Sequence, residues 1–556
     1  MSTGPSPLAR SAARLIRLLP KKSDYTAMTR SPVRDLIAGV TVAVVALPLA
    51  LAFGVASGLG AGAGLTTAII AGVLAAVFGG SNLQISGPTG AMAVVLVPVV
   101  HSFGVGGVLQ VGLMAGIILV VLSPSGVGGF VRYLPASVIE GFTVGIAVVI
   151  ALQQVPNMLG VEAGNQEQIL PLAIDAFIRF VADPNWIPPT IAITIAAAIV
   201  IVARFKPAIP VSLIAVVGAT AIAVGASLAL PSIGELPHAI GAPSAAFIDW
   251  SNTAALIPSA IAVAALAALE SLLCATVADG MRVGEEHDPD RELFGQGIAN
   301  LVVPFFGGVP ATAAIARTAV NARAGASSRL SAITHSVVLL AVVLSLGPLV
   351  GYIPLAALAG VLLATTIQMV HVGSVRALLR STRSDAVVLV LTFAVTVLVD
   401  LVTAVVVGLA AAAILALRAM AQSSQLEQVP LDHADHSDEE HALIDDKIVA
   451  YRFDGPLFFG AAHRFLLELV DVSDVSVVIL RLSRVTTLDA TGGLMLDDAI
   501  AQLERRGIAV LVSGVKPGHR EVLLRLGTAP HLREQGRVFA TTPDAIAHAR
   551  TLVAPR

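Results

Sequence analysis

The chain has 556 residues, 56% of them hydrophobic and 13% charged, with a mean hydropathy of +0.86. Soluble domains carry about a quarter charged residues, so this composition excludes an ordinary soluble protein and predicts a polytopic membrane protein. A net charge of −3 gives no sign of a nucleic-acid partner, and the single cysteine, Cys274, excludes a disulfide framework and a cysteine-built metal site. Residues 1–35 are basic but have no apolar core ahead of a small-residue cleavage site. They read as a cytoplasmic N-terminal segment rather than a signal peptide.

A spanning helix needs about 20 apolar residues. In chain order the candidates are 36–58, 65–78, a strand and half-helix over 83–100, then 108–122, 137–155, 188–203, 210–230, 256–277 and 293–306. A second half-helix follows at 316–323, then 330–346, 354–370 and the run 385–420. That run is about 54 Å long at 1.5 Å per residue. It is too long for one pass and short for two full ones, so it divides at Asp400. The total is fourteen helices in a transmembrane domain over 36–420.

The basic residues fit this count. Arg10, Arg14, Arg17, Lys21, Lys22, Arg30 and Arg34 precede the first helix. Arg132, Arg204 and Lys206, Arg282 and Arg291, Arg376, Arg380 and Arg383, and Arg418 follow even-numbered helices. The intervening loops are poor in Lys and Arg; 157–187 carries Glu162, Glu167, Asp175 and Asp183 against Arg179 alone. The alternation predicts cytoplasmic termini.

Residues 421–446 are polar and acidic and read as a solvated linker; its stretch HADHSDEEH suggests solvation rather than a metal site. From 447 to 556 strand and helix patterns alternate: IVAYRF and PLFFG as two strands, AAHRFLLELV as a helix, VSVVILRL as a buried strand. LMLDDAIAQLERRG reads as a helix ending at Gly507, IAVLVSG as a strand and HREVLLRLG as a helix closed by Gly527. This spacing predicts a small α/β domain.

The chemistry is expected at the two broken stretches, LQISGPTGAMAVVL and GGVPATAAIARTAVN. Each has small residues and Pro, then hydroxyls, then an apolar helical run. A helix N-terminus offers about half a positive charge and several unbonded N–H groups, so it holds an anion without a full ion in lipid. Pro88 suits a first turn. Ser86 and Thr89 offer hydroxyls, and Gly87 and Gly90 let an anion approach the backbone. In the second stretch Thr312 and Thr318 do similar work, Ala316 keeps space, and Arg317 brings a positive charge to mid-membrane, where charges are costly and usually functional. Extended backbone at that depth is tolerable if the two short segments pair with each other. Glu270 lies in an apolar helix, where a bare carboxylate must be paired or protonated. Glu140 and Asp400 lie near helix ends, and His101, His335 and His371 stand alone without metal-ligand spacing.

ALPLALAFGVASG, ISGPTGAM, ALESLLCATVADG and ELFGQGIANLVVPFFGGVPATAAIARTAVN, with TLDATG near the C-terminus, resemble together the SulP (sulfate permease) anion transporters, bacterial relatives of solute carrier family twenty-six, with a C-terminal STAS domain. The resemblance implies fourteen helices as two inverted seven-helix repeats, with a core moving against a gate, commonly in a homodimer. It implies an arginine, Arg317, beside the substrate, an aromatic, Phe53, lining the site, and an apolar Leu49 where many eukaryotic members have glutamine. It also links a glutamate at the position of Glu270 to proton coupling. Related sodium-using bicarbonate transporters carry aspartate there and threonine one turn on, where this chain has Cys274; sodium prefers oxygen, so a proton is expected instead. The position phosphorylated in soluble STAS relatives is Ala490, so no phosphosite carries over. The expectation is a proton-coupled symporter of sulfate, bicarbonate or a dicarboxylate in the cell membrane, with no cofactor, metal site or enzyme activity. A sodium-coupled bicarbonate transporter and an uncoupled exchanger or channel are the alternatives.

Overall fold

The computed structural model describes residues 17–129, 134–162, 164, 169–206, 209–235, 241–281, 286–423, 425–428, 447–457, 475–527 and 530–553. Arg10, Arg14, Arg132, Glu167, Arg282, the stretch HADHSDEEH and the helix expected at 461–470 lie outside them. The chain separates into two compact units, residues 1–409 and 410–556.

The first unit is helical. Its elements are α1 (Pro32–Ala56), α2 (Ala61–Phe78), the two-residue strand β1 (Ser86–Gly87), α3 (Gly90–Leu122), α4 (Ala136–Gln153), α5 (Ile169–Ala182), α6 (Ile187–Phe205) and α7 (Val211–Gly225). Then come α8 (Thr253–Gly280), α9 (Pro289–Val302), β2 (Thr312–Ala313), α10 (Ile315–Arg323), α11 (Leu330–Val350), α12 (Leu355–Met369), α13 (Val372–Ser381), α14 (Arg383–Leu398) and α15 (Leu401–Ser423). All fourteen expected helices are present. Two share α3, which breaks at Gly104 with φ 67° and ψ −168°, a backbone state open to glycine alone. The long run divides where expected: Asp400 accepts from the Thr403 N–H at 2.8 Å and from its hydroxyl at 2.6 Å, starting α15. At nine residues, α10 is about 14 Å long, half the thickness of a bilayer core.

Among the described helices of ten residues or more in this unit, two were not expected. The acidic segment after α4 contains α5, and the basic segment after α12 contains α13. Both are short and amphipathic, so charge counting alone made them loops.

The core of this unit is built from small residues. Gly54 and Gly64 let α1 and α2 touch backbone to backbone: a Cβ on Gly54 would lie 2.7 Å from the Gly64 nitrogen. The loop between α10 and α11 is anchored by Asp35 of α1, which is fully buried and accepts from the backbone and hydroxyls of Ser327 and Ser328 at 2.5–3.2 Å.

The second unit holds a sheet of β3 (Gln425–Gln428), β4 (Ile448–Leu457), β5 (Val477–Arg481), β6 (Val485–Leu488), β7 (Ala509–Ser513) and β8 (Val538–Phe539). The order is β3-β4-β5-β7-β8, with β6 also on β4; β3 is antiparallel and the other pairings are parallel. Helices α16 (Ala490–Arg505), α17 (Pro517–Leu526) and α18 (Thr542–Val553) complete it. Alternate residues of β5 face opposite cores: Val478 and Leu480 join Leu496, Ile500 and Leu503 of α16, while Val477 and Ile479 join Ala545 and Ala549 of α18. A strand covered on both faces reads as an unbroken apolar run, as VVIL does. Two expectations change. IVAYRF and the start of PLFFG form one strand, bent where Gly455 (φ +99°) makes a register shift against β6. The expected linker begins with the end of α15 and the strand β3. Asp489 caps α16 by accepting from the Gly492 N–H at 2.7 Å, with Ala490 as the first helical residue.

Candidate functional site

β1 and β2 pair antiparallel, Ser86 opposite Ala313 and Gly87 opposite Thr312. This two-residue ladder satisfies the extended backbone inside the bundle, as membrane depth requires. It also brings the starts of α3 and α10 together. Arg317, in the first turn of α10, crosses to the other half and donates from Nη2 to the Pro88 carbonyl at 2.6 Å. Arg317 is 1% exposed, and its Nε and Nη1 have no hydrogen-bond partner. Among the described residues no hydrogen bond is made by the N–H groups of Gly90 and Ala91 in α3, or of Ile315, Ala316 and Arg317 in α10. The site therefore combines two sets of free helix-end donors with a guanidinium that has donors to spare. Ile315 and Ala316 are exposed, so the start of α10 is open on one side.

The glycines also leave room for neighbouring side chains. A Cβ on Gly87 would lie 2.6 Å from Arg317 Nη1, and one on Gly90 would lie 3.1 Å from Phe53 Cε1. Gly87 thus makes room for the guanidinium, and Gly90 first for Ile150 of α4 and then for the Phe53 ring of α1. The hydroxyls also divide. Thr89 caps α3, accepting from the Met92 N–H at 3.4 Å, and donates to Glu270 Oε2 at 2.9 Å. Ser86 and Thr318 are spent in the core: Ser86 Oγ accepts from Gln296 at 2.5 Å, and Thr318 Oγ1 accepts from the Ile85 N–H at 3.0 Å. Thr312 Oγ1 donates to the Ala267 carbonyl at 3.2 Å and lies 2.9 Å from Ser271 Oγ.

Helix α8 is the spine between the halves. Glu270 reaches the first half-helix through Thr89. Cys274, fully buried, reaches the second by donating to Thr318 at 3.2 Å. Glu270 is half-buried, and no ion pair joins it to Arg317, so its carboxylate is not locked to that charge.

A polar ladder on α9 supplies the rigid wall. Glu292 Oε2 accepts from the Gly80 and Ser81 N–H groups at 2.9 and 3.1 Å. Gln296 holds Ser86. Asn300 exchanges hydrogen bonds with the Ala311 N–H and carbonyl at 2.8 Å, as a neighbouring strand would. Sequence reasoning missed this function. The signal was there: Glu292, Gln296 and Asn300 recur every four residues, on one face of a helix. His335 is fully buried on α11 with neither ring nitrogen hydrogen-bonded.

Paired broken helices meeting at mid-bundle, with a separate α/β unit, define a membrane transporter of the inverted-repeat class. The sulfate permease family matches residues 33–392, and the STAS domain residues 441–545. The chain belongs to the sulfate permease family, whose members here are transporters and not enzymes. It is 34% identical to the putative sulfate transporter YvdB of Bacillus subtilis, over 89% of this chain and 93% of that protein. It is 31% identical to the bicarbonate transporter BicA of Synechocystis, over 86% and 88%. The solved transmembrane domain of a cyanobacterial BicA, 32% identical, superposes with a TM-score of 0.60 over 69% of this chain and 97% of that one. Murine Slc26a9, an anion transporter solved in an inward-facing state, shares the fold at 18% identity, with a TM-score of 0.81 over 99% and 96%.

Proposed function

We propose that this protein is a secondary active transporter that carries a small oxyanion or carboxylate (sulfate, bicarbonate or a short dicarboxylate) together with a proton. The anion sits between the N-termini of α3 and α10, held by their free N–H groups and Arg317, with Phe53, Pro88 and Ala316 as walls. The observation that carries the coupling is the Thr89–Glu270 hydrogen bond at 2.9 Å, because Thr89 also caps the helix end that meets the anion. An ionised Glu270 repels an anion arriving there. Protonation removes that repulsion and frees the Thr89 hydroxyl, so proton and anion favour each other's binding, and by linkage equally.

A proton is preferred to sodium as the driving ion. Cys274 stands one turn from Glu270, and a buried thiol donating to Thr318 is a poor ligand for a hard cation. Relatives named as sulfate and as bicarbonate transporters leave both anions as substrates. The protein is further proposed to work as a homodimer in the cell membrane with cytoplasmic termini, its STAS domain binding a partner or assisting assembly. Calorimetry of sulfate, bicarbonate and succinate binding at two pH values tests the reading. Affinity should rise on acidification with proton uptake, and Glu270→Gln should bind with no pH dependence. Affinity unchanged by pH but raised by sodium points to the sodium-coupled alternative. Anion currents exceeding carrier turnover point to a channel.

A further inference from the structure

α13 has no buried residue. It touches α14 and α4; Val375 and Leu378 are half-buried, while Val372 and Leu379 are 69% and 45% exposed. At about 100° per residue, Val372, Leu379, Val375 and Leu378 span an arc of about 120°, and Arg376 and Arg380 lie along one edge of it. Arg383 follows two residues after the end of α13, as the first residue of α14, with extended Thr382 between them. All three arginines are exposed, and none forms an ion pair or hydrogen bond through its side chain among the described residues. The acidic group nearest in sequence, Asp385, is engaged by the hydroxyls of Thr382 at 2.8 Å and Ser381 at 3.5 Å. On the helices to either side, Ile367 of α12 and Val387 and Val390 of α14 are all more than half exposed.

We propose that α13 is an interfacial helix that binds anionic phospholipid, with acyl chains against Val372 and Leu379 and the headgroup phosphate held by Arg376, Arg380 and Arg383. The geometry is that of an amphipathic helix lying in the plane of the bilayer surface. The apolar arc is flanked in the chain by helices whose exposed apolar side chains face hydrocarbon, and the cationic edge sits where phosphates lie. Guanidinium groups hold phosphate through two parallel hydrogen bonds. A free phosphate or nucleotide would leave the apolar arc unused, and a zwitterionic lipid would leave the three charges unbalanced. Because α13 joins α12 to α14 and packs on α4, bound lipid would steady these helices.

The test is equilibrium binding of fluorescent phosphatidylglycerol, and of the matching phosphatidylcholine, to the full chain in detergent. Neither transport nor sidedness enters this measurement, so its failure is separate from failure of the transport reading. Phosphatidylglycerol should bind in preference, and more weakly as salt rises. Each Arg→Gln change at 376, 380 or 383 should weaken binding about five-fold, and the triple variant about a hundred-fold. Leu379→Ser should weaken both lipids without changing the salt dependence. Thermal unfolding in phosphatidylcholine, matching the parent chain, confirms that the triple variant is folded. Equal affinity for the two lipids, or unchanged binding by the folded triple variant, overturns the proposal. So does binding that emerges only when the acidic residues 433–441 are deleted, since that segment would then be the natural occupant.

Discussion

Arg317 has one nitrogen committed to the Pro88 carbonyl and two unengaged, inside a fully buried setting. Such donors are costly unless something accepts from them, and the proposed anion at the helix ends would do so. Arg317→Ala should lower anion affinity about ten- to a hundred-fold, the worth of charge-assisted hydrogen bonds; titration calorimetry reads this. Lysine should not restore binding, because one ammonium cannot both hold Pro88 and face the anion. Gly87→Ala makes a finer test. Its Cβ would crowd Nη1 at 2.6 Å, so affinity should fall about ten-fold, the equivalent of one lost hydrogen bond, while circular dichroism stays unchanged. Arg317 was conspicuous in the sequence as an intramembrane charge, and the structure shows it buried with donors to spare. The use of Gly87 was not legible there, since a sequence shows that a glycine leaves space but not which group fills it.

The half-helices work only if their extended lead-ins are held, and α9 holds both. Asn300→Leu leaves the buried Ala311 N–H and carbonyl unpaired, at about 1–3 kcal/mol each. Thermal unfolding in detergent should show that loss, with anion binding falling alongside. A second anchor lies outside the membrane, where Asp24 Oδ2 comes within 2.7 Å of Arg291 Nη2 at the start of α9. The approach lies off the N–H directions, so it is an ion pair more than a hydrogen bond. Burial alone would raise the Asp24 carboxyl. The Arg291 contact, the Lys21 N–H and the charges of Arg291 and Arg329 outweigh it and hold the carboxyl below its ordinary 3.8. A carboxylate lowered on folding contributes stability above its unfolded value and loses it as pH falls through the folded one. Asp24→Asn should therefore lower the melting temperature at neutral pH, with the difference closing below about pH 3.8. At this scale the sequence revealed every long apolar helix, the two breaks and the division at Asp400. It concealed α5 and α13, because a short amphipathic helix and a charged loop have the same composition. The spacing of Glu292, Gln296 and Asn300 was visible, but their partners were not: Gly80, Ser81 and Ser86 lie more than two hundred residues away, and Ala311 lies in the next extended segment.

The molecule as a whole has a helical unit, with the proposed anion site where its two half-helices meet, and an α/β unit. Composition and charge alternation sufficed for the membrane class and for fourteen helices. The second unit was less legible, since β4 carries its bend within one strand and β3 hides in a stretch that reads as linker. The central claim is that Glu270 ties anion movement to a proton through Thr89. Uptake of labelled sulfate, bicarbonate or succinate into proteoliposomes, under an imposed inward proton gradient and then under a sodium gradient, tests it most directly. The account predicts uptake of at least one anion driven by the proton gradient, equilibrium exchange without gradient response in Glu270→Gln, and uptake in Arg317→Ala only at about ten- to a hundred-fold higher anion concentration. Uptake driven by sodium and indifferent to pH, or a proton response that survives in Glu270→Gln, would contradict it.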